Sequence, residues 1–382
     1  MQNPALAQIY EALGDEGLKK ARWQEKMRVW GMLAQLVWTV LYALLWIPTG
    51  WAAALRDALG GNGAWPSLLF VLVFMLLMIP FNLPLTWFFD YRVENLLGTN
   101  RQSLGGWLLD QLKQGLISAV LFGLFFWAVY LVFRAWPHGW WLALVGVVAL
   151  LMVGLYLVQP IIIRAQYKAE PLEDEALVAR LKALFERAGF PFGGVGVLRA
   201  GEKTARGNAM LAPRGGRLEV LVYDTLLDEI GPEGLEFVVA HELGHRAHKD
   251  WPWMLGLFGL LFVLGLALAH ALLVWTAGRW GLAGPGDVAT LPLLYLTLTI
   301  WLMLTQVISN AFMRTREYAA DRYALDLVPN LPAFENTFVA LAKQNLSDPE
   351  PPEWVEFWLH NHPSIARRLQ AAKRVLASNR QT

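Results

Sequence analysis

His241-Glu242-Leu243-Gly244-His245, with the apolar run Trp253–Ala277 beginning eight residues later, decides how this chain is read. On a helix, residues four apart share a face, so both imidazoles can reach one metal ion. Zinc is the usual occupant of such a pair, and the glutamate between them is then placed to act on a water at the metal. The run that follows is long enough to cross a bilayer, which puts this candidate hydrolytic site at a membrane edge.

The composition around it agrees. Of 382 residues, 56% are hydrophobic and 16% charged, against about 25% charged in soluble domains. The 19 tryptophans fit a chain in contact with membrane interfaces. A net charge of +1 excludes a basic nucleic-acid-binding protein, so no nucleic acid is expected as a partner. The absence of cysteine excludes disulfides, cysteine zinc sites and thiol catalysis. A spanning helix needs about 20 largely apolar residues, and about six runs qualify. They are Val29–Pro48, Pro66–Phe89, Gly115–Phe133, Trp140–Ile163, Trp253–Ala277 and Val288–Phe312. The fold class is therefore mainly α: a polytopic membrane protein with about six transmembrane helices and a small α+β cytoplasmic domain. Met1–Arg28 is polar and amphipathic, and no convincing small-residue cleavage site follows the first run, which reads as a retained anchor.

Lysine and arginine set the orientation. The N-terminal segment holds Lys19, Lys20, Arg22, Lys26 and Arg28, and the loop Asp90–Gln114 holds Arg92, Arg101 and Lys113. The loops near Arg56, Arg134 and Arg279 hold one each. Rich and poor loops alternate, so both termini and the segment Arg164–Pro252 are expected in the cytoplasm. The chain divides into an N-terminal membrane region (1–163, four spans), a cytoplasmic insert (164–252), a transmembrane hairpin (253–312) and a C-terminal segment (313–382). In the insert, Glu170–Ala188 reads as an amphipathic helix, and Gly194–Leu198, Asn208–Pro213 and Leu218–Tyr223 as strands. Arg214-Gly215-Gly216-Arg217 is a turn, and Pro232–Lys249 a helix carrying the pentapeptide. Further helices are expected over Pro332–Gln344 and from Ser364.

Two histidines leave a catalytic zinc one protein ligand short. His248 lies too close to His245 for easy convergence on one ion, and His248 and Trp251 stand where a metzincin needs glycine and a third histidine. The better candidate is Glu317, in Arg314-Thr315-Arg316-Glu317-Tyr318-Ala319-Ala320-Asp321. Glu317 and Asp321 share a helical face, so one carboxylate can bind the metal while the other holds the free N–H of a histidine, orienting its ring. The hairpin of the last two spans brings Glu317 back to the face that His245 left.

These residues resemble peptidase family M48, which includes the Ste24-type CAAX prenyl proteases and the HtpX-type quality-control proteases. The pentapeptide, the Arg316–Asp321 stretch and His362-Pro363-Ser364-Ile365-Ala366-Arg367-Arg368-Leu369 carry the resemblance, with Asn208-Ala209 as a softer match. Pro80-Phe81-Asn82, Tyr91–Asn100 and Asp110-Gln111-Leu112-Lys113 look like the Ste24-type pattern, although Thr99 stands where an aromatic residue is usual. The resemblance implies a gluzincin-type catalytic domain holding one Zn2+ per chain on His241, His245 and Glu317. It also implies Glu242 as catalytic base, Asp321 behind a ligand histidine, His362 as oxyanion donor, and Arg368 as a candidate for a substrate carboxylate. Asn208–Ala212 would be an edge strand that pairs with extended substrate. Ste24-type proteases have seven spans; about six are present here.

The expected function is a membrane-embedded zinc endopeptidase of Ste24 type. Its partners are a peptide or protein substrate, prenylated or membrane-associated, and the lipid bilayer. An HtpX-like protease of misfolded membrane proteins and a non-enzymatic chamber or lipid-handling protein with a relic metal site are the alternatives. An intramembrane protease is disfavoured by Asp228, Glu229, Glu233 and Glu236 just before the pentapeptide. The terminal Ser378-Asn379-Arg380-Gln381-Thr382 shows no dilysine retrieval signal, which points to a prokaryotic cell membrane rather than the endoplasmic reticulum. His270 is expected as a neutral, hydrogen-bonded packing residue, and Gln306, Ser309 and Asn310 as chamber lining or helix contacts.

Overall fold

The computed structural model describes residues 4–137 and 139–379. Arg380–Thr382, part of the stretch read for a retrieval signal, lie outside the described residues.

The chain opens with α1 (Pro4–Trp46), broken at Gly14, whose φ of 60° suits glycine. Its first half is polar and packs onto the soluble part of the molecule; its second half is apolar. A short α2 (Trp51–Ala58) leads to α3 (Ala64–Thr86), which widens into a π-helical turn at Trp87–Arg92 and ends as α4 (Val93–Leu97). Then come α5 (Leu104–Ala135) and α6 (Trp140–Gln166). The soluble insert runs β1 (Ala169–Pro171), α7 (Glu175–Ala188), β2 (Phe192–Leu198), β3 (Ala209–Arg214), β4 (Arg217–Tyr223), α8 (Asp224–Glu229) and α9 (Pro232–Ala247). After it follow α10 (Asp250–Trp275), α11 (Leu291–Leu327), α12 (Leu331–Asn345), α13 (Glu353–Leu359) and α14 (Ile365–Asn379).

Among the described residues, five helical stretches are long and apolar enough to cross a membrane: Pro4–Trp46, Ala64–Leu97, Leu104–Ala135, Asp250–Trp275 and Val288–Leu327. The remaining expected span, Trp140–Ile163, is also helical within α6, and its described apolar stretch covers Ala143–Leu155. Leu150, Trp253 and Leu304 are 74%, 65% and 61% exposed on the outer faces, a surface suited to lipid rather than water.

Two apolar cores reflect the two environments. Phe70, Phe74, Tyr130 and Leu294 belong to the core of the membrane bundle. Leu181, Val220, Leu235 and Phe334 belong to the core of the soluble part, which also takes Ala5, Ile9 and Leu13 from α1. The first half of α1 is thus packed with the soluble part and not with the membrane region that follows it. At the opposite end of the bundle, Arg56 bonds Asp287 at 2.5 Å, and Arg134 bonds Ser67 at 2.7 Å. The amide of Val288 donates to Asn62 at 2.9 Å. The loops beside Arg56 and Arg134 and the α10–α11 loop meet there, so the arginine-poor loops share one face.

The sheet has the order β1-β2-β4-β3. β3 and β4 form an antiparallel hairpin closing at Arg214↔Arg217, with Gly215 and Gly216 at φ 56° and 78°, as a two-residue primed turn requires. β3 therefore lies at the sheet edge. One expected helix is shorter than its pattern. Ala169–Pro171 pairs with β2, and α7 starts only at Glu175, where the Asp174 side chain accepts the Leu177 amide. α9 likewise stops at Ala247, because Lys249 at φ 54° turns the chain into α10.

Candidate metal centre and substrate cleft

α9 carries His241, Glu242 and His245 on one side and crosses α11 at Gly244. A Cβ at Gly244 would lie 2.9 Å from the Cα of Ala320. Only glycine allows the two backbones to approach so closely, and Glu317 sits three residues before that crossing. The Nε2 atoms of His241 and His245 are 3.2 Å apart. Glu317 places Oε2 3.4 Å from His241 Nε2 and Oε1 3.3 Å from His245 Nε2. One donor atom from each of the three residues lies within 4.8 Å of the others.

The remaining ring nitrogens are occupied. His241 Nδ1 is 2.9 Å from Asp321 Oδ1, the pairing expected of Asp321. His245 Nδ1 is 2.8 Å from Asp250 Oδ2, a partner the sequence reading did not find. Each carboxylate holds an Nδ1–H and leaves Nε2 facing the cluster. Arginines support both: Arg368 grips Asp321 with Nε at 2.8 Å and Nη2 at 2.6 Å, and Arg316 bonds Asp250.

This donor set fits a divalent cation. Two neutral imidazoles and a carboxylate are what a catalytic zinc takes. Glu317 Oε2 is buried without a hydrogen-bond partner among the described residues. Burial opposes protonation of His241, yet Asp321 and Glu317 outweigh it and push the imidazole up to about 9. A site so rich in negative charge calls for a cation, and a metal supplies one where a proton would otherwise go.

Beside the cluster lies a cavity of about 400 Å³, lined by Glu242, His362, Arg368, Asn208 and Ala209 among others. Removal from bulk water pushes the Glu242 carboxyl above the usual carboxylate range, while the two histidines act against that rise. His362 stands on the open side, 54% exposed at its side chain, with Nε2 3.2 Å from Glu317 Oε1 and Nδ1 2.7 Å from Asn361. Asn208 and Ala209 bring the edge of β3 to the cavity wall.

Arg368 departs from the role expected of it. Its side chain is 11% exposed, two of its nitrogens engage Asp321, and Nη1 is 3.3 Å from Glu317 Oε2. The fork faces inward, so it holds a carboxylate of the protein itself rather than one of a substrate. His248 lies outside the cluster and directs Nδ1 to the Gly244 carbonyl at 2.8 Å. His270 is a packing residue stacked on Trp140 at 4.9 Å, but its Nδ1 has no hydrogen-bond partner among the described residues. Asn310 donates to the Trp358 carbonyl at 2.8 Å and so ties α11 to α13.

Residues 171–376 match the description peptidase family M48, and residues 4–165 match CAAX prenyl protease N-terminal, five membrane helices. The chain belongs to peptidase family M48. The metalloprotease YhfN of Bacillus subtilis is 30% identical over 312 residues, which are 80% of this chain and 72% of that one. CAAX prenyl protease 1 of Saccharomyces cerevisiae is 23% identical over 313 residues, 76% of this chain and 68% of that one. The crystal structure of S. mikatae Ste24p superposes with a TM-score of 0.78 at 21% identity, covering 94% of this chain and 89% of that one. The M48 chain described here is thus a multi-pass membrane metallopeptidase of Ste24-like fold, similar to the CAAX prenyl proteases and acting on peptides. Where that N-terminal description names five membrane helices, this chain has the long helices α1, α3, α5 and α6 and the short α2.

Proposed function

We propose that this M48 peptidase holds one zinc ion on His241, His245 and Glu317 and cleaves peptide bonds at the cytoplasmic surface of a prokaryotic cell membrane. The observation that carries the reading is the convergence of one donor atom from each of three residues within 4.8 Å, each histidine locked from behind by a buried carboxylate. Zinc, when bound, supplies the Lewis acidity that activates water and polarises the scissile carbonyl. Glu242, whose carboxyl is poised by burial, accepts the proton of the attacking water and delivers it to the leaving amine. His362 faces the open side of the cluster with Nε2; in the tautomer that carries its proton there, with the Asn361 amide turned to donate to Nδ1, it donates to the oxygen on which negative charge develops. The edge of β3 from Asn208 to Ala212 pairs with extended substrate through main-chain hydrogen bonds, which makes binding tolerant of sequence. Asp321 and Asp250 fix the two imidazoles, and Arg368 holds Asp321.

The substrate is a prenylated or membrane-associated peptide, a reading supported by the membrane-edge site and by the N-terminal match. The arginine-rich segments lie on the same side as the site, which supports a cytoplasmic face. Glu242→Gln is expected to keep its metal and lose cleavage of a quenched peptide, and cleavage equal to that of the wild type sinks the mechanism. Profiling in membranes with and without a farnesylated C-terminal peptide tests the substrate; equal turnover of both removes prenylation as a requirement.

A further inference from the structure

The Ste24-type block around Glu94 and Asp110 has no part in the chemistry described so far, yet the structure binds it to the strand that faces the metal. Residues 203–207 lead into β3 and are held from three directions. From the membrane half, Ala205 N donates to Thr99 O and Arg101 N donates to Lys203 O, both at 2.9 Å, around the bridge Asn100↔Thr204. Arg206 meets both carboxylate oxygens of Glu94, with Nε at 3.0 Å and Nη2 at 2.7 Å, while Lys203 bonds Asp110. From α1, Gln24 Oε1 accepts from Arg206 Nη2 at 3.1 Å. From the end of α12, Asn345 takes Arg206 Nη1 on its carbonyl at 3.0 Å and the Gly207 amide on its side chain at 3.1 Å. Thr99, where an aromatic residue is usual, donates its hydroxyl to Glu94.

Gly207 is packed closely against the ends of two side chains. A Cβ there would lie 2.9 Å from Leu226 Cδ1 and run into the Gln344 amide. Arg206 is two residues before Asn208, the first residue of the expected substrate strand. Gly207, Asn208 and Asn345 line both the metal cavity and a second polar cavity of about 640 Å³ on the side of Glu94 and Asp110. An edge strand recruits a peptide only in the register its own backbone offers. Anything that fixes the entry of β3 therefore fixes where the peptide lies relative to Glu242.

We infer that the Glu94–Arg206 pair is a positioning device through which the membrane half sets the substrate strand, so that peptide binding by the soluble half depends on a membrane-region carboxylate. Glu94 and Arg206 act through β3 and are not catalytic residues. The inference rests on β3 being the peptide-binding edge, as proposed above. The bidentate, partly buried geometry is of the strong kind.

Full-length protein in detergent is tested with a labelled peptide, with binding measured in a Glu242→Gln background and turnover in the active enzyme. Glu94→Gln is expected to weaken peptide binding and raise KM about tenfold, with kcat within about twofold and metal content unchanged. The swap E94R/R206E is expected to restore binding to within about threefold of the parent, because the pair and not either residue is needed. Unchanged binding in Glu94→Gln overturns the inference. So does a loss of kcat or of metal without a change in binding, or a swap that restores the thermal midpoint but not peptide affinity. A parent that binds peptide without cleaving it contradicts the protease reading alone, while normal cleavage with binding indifferent to Glu94 contradicts the positioning role alone.

Discussion

Gly244→Ala is the sharpest probe of the metal centre, because it adds one methyl group and touches no metal-binding atom. The new Cβ would stand 2.9 Å from the Ala320 Cα and 3.1 Å from the Ala320 carbonyl oxygen. Non-bonded carbons settle at about 3.5–4.0 Å, so α9 and α11 must part by at least about 0.6 Å at their crossing. Both obstacles are backbone, so no side chain can turn aside. Glu317 is less than one turn from that crossing, and metal–ligand distances tolerate only about 0.2 Å. The carboxylate is therefore expected to leave bonding range while His241 and His245, both on α9, stay together. Overpacking costs about 1–3 kcal/mol of fold stability, and losing a ligand should weaken metal binding by more than about 10–100-fold, the cost of losing a ligand's supporting partner. The assay is a competitive zinc titration of the purified protein against a fluorescent chelator, with the thermal midpoint recorded in excess chelator to separate fold from ligation. Wild-type zinc affinity together with wild-type turnover would refute the claim that this helix crossing sets the third ligand.

Asp250→Asn should lower zinc affinity about 10–100-fold and, because it also removes the counter-charge of Arg316, lower the apo-protein's thermal midpoint; an affinity within twofold of wild type on the same titration argues against an orienting role. Arg368→Met leaves the buried Asp321 without its main counter-charge and should cost about 3–5 kcal/mol, read as a fall in thermal midpoint. A fully stable Arg368→Met whose only defect is poor binding of peptides with a free C-terminal carboxylate would revive the substrate-binding role. Arg56→Ala strands Asp287, whose side chain is 0% exposed at the opposite end of the bundle, and should lower the thermal midpoint while zinc affinity stays within twofold. A parallel loss of zinc would show that the two ends are coupled.

Much of this molecule is legible in its sequence because the signals are local. Apolar length identifies the spans, and helical spacing pairs His241 with His245 and Glu317 with Asp321. The hairpin of β3 and β4 follows from its glycine turn, whereas the edge position of β3 depends on the order of the whole sheet. What escaped depends on chain direction after a break. Asp250 lies five residues beyond His245, but the left-handed Lys249 swings it back under the imidazole, and no periodicity carries across such a residue. An arginine in a late motif shows its chemistry and not its partner; the partner of Arg368 is Asp321, forty-seven positions away. Glu94 and Arg206 are 112 positions apart, and only the folded chain brings them together. The helices α2, α8 and α13 have 8, 6 and 7 residues, too few for a periodic pattern to stand out.

A last consequence follows from α11 being unbroken from Leu291 to Leu327. Glu317 is the far end of a lever about 39 Å long, measured from Leu291 at the standard rise. A tilt of only about a third of a degree moves that end by the 0.2 Å that ligation tolerates. Such a beam, immersed in a fluid of variable thickness, would wander if it were not bolted at the site. The bolts are present within two turns: Asn310 and Arg314 fasten it to the α13 segment, and Arg316 fastens it to Asp250 on α10. The enzyme thus converts a membrane anchor into an instrument mount, and bilayer thickness becomes a variable that its active-site geometry must be shielded from.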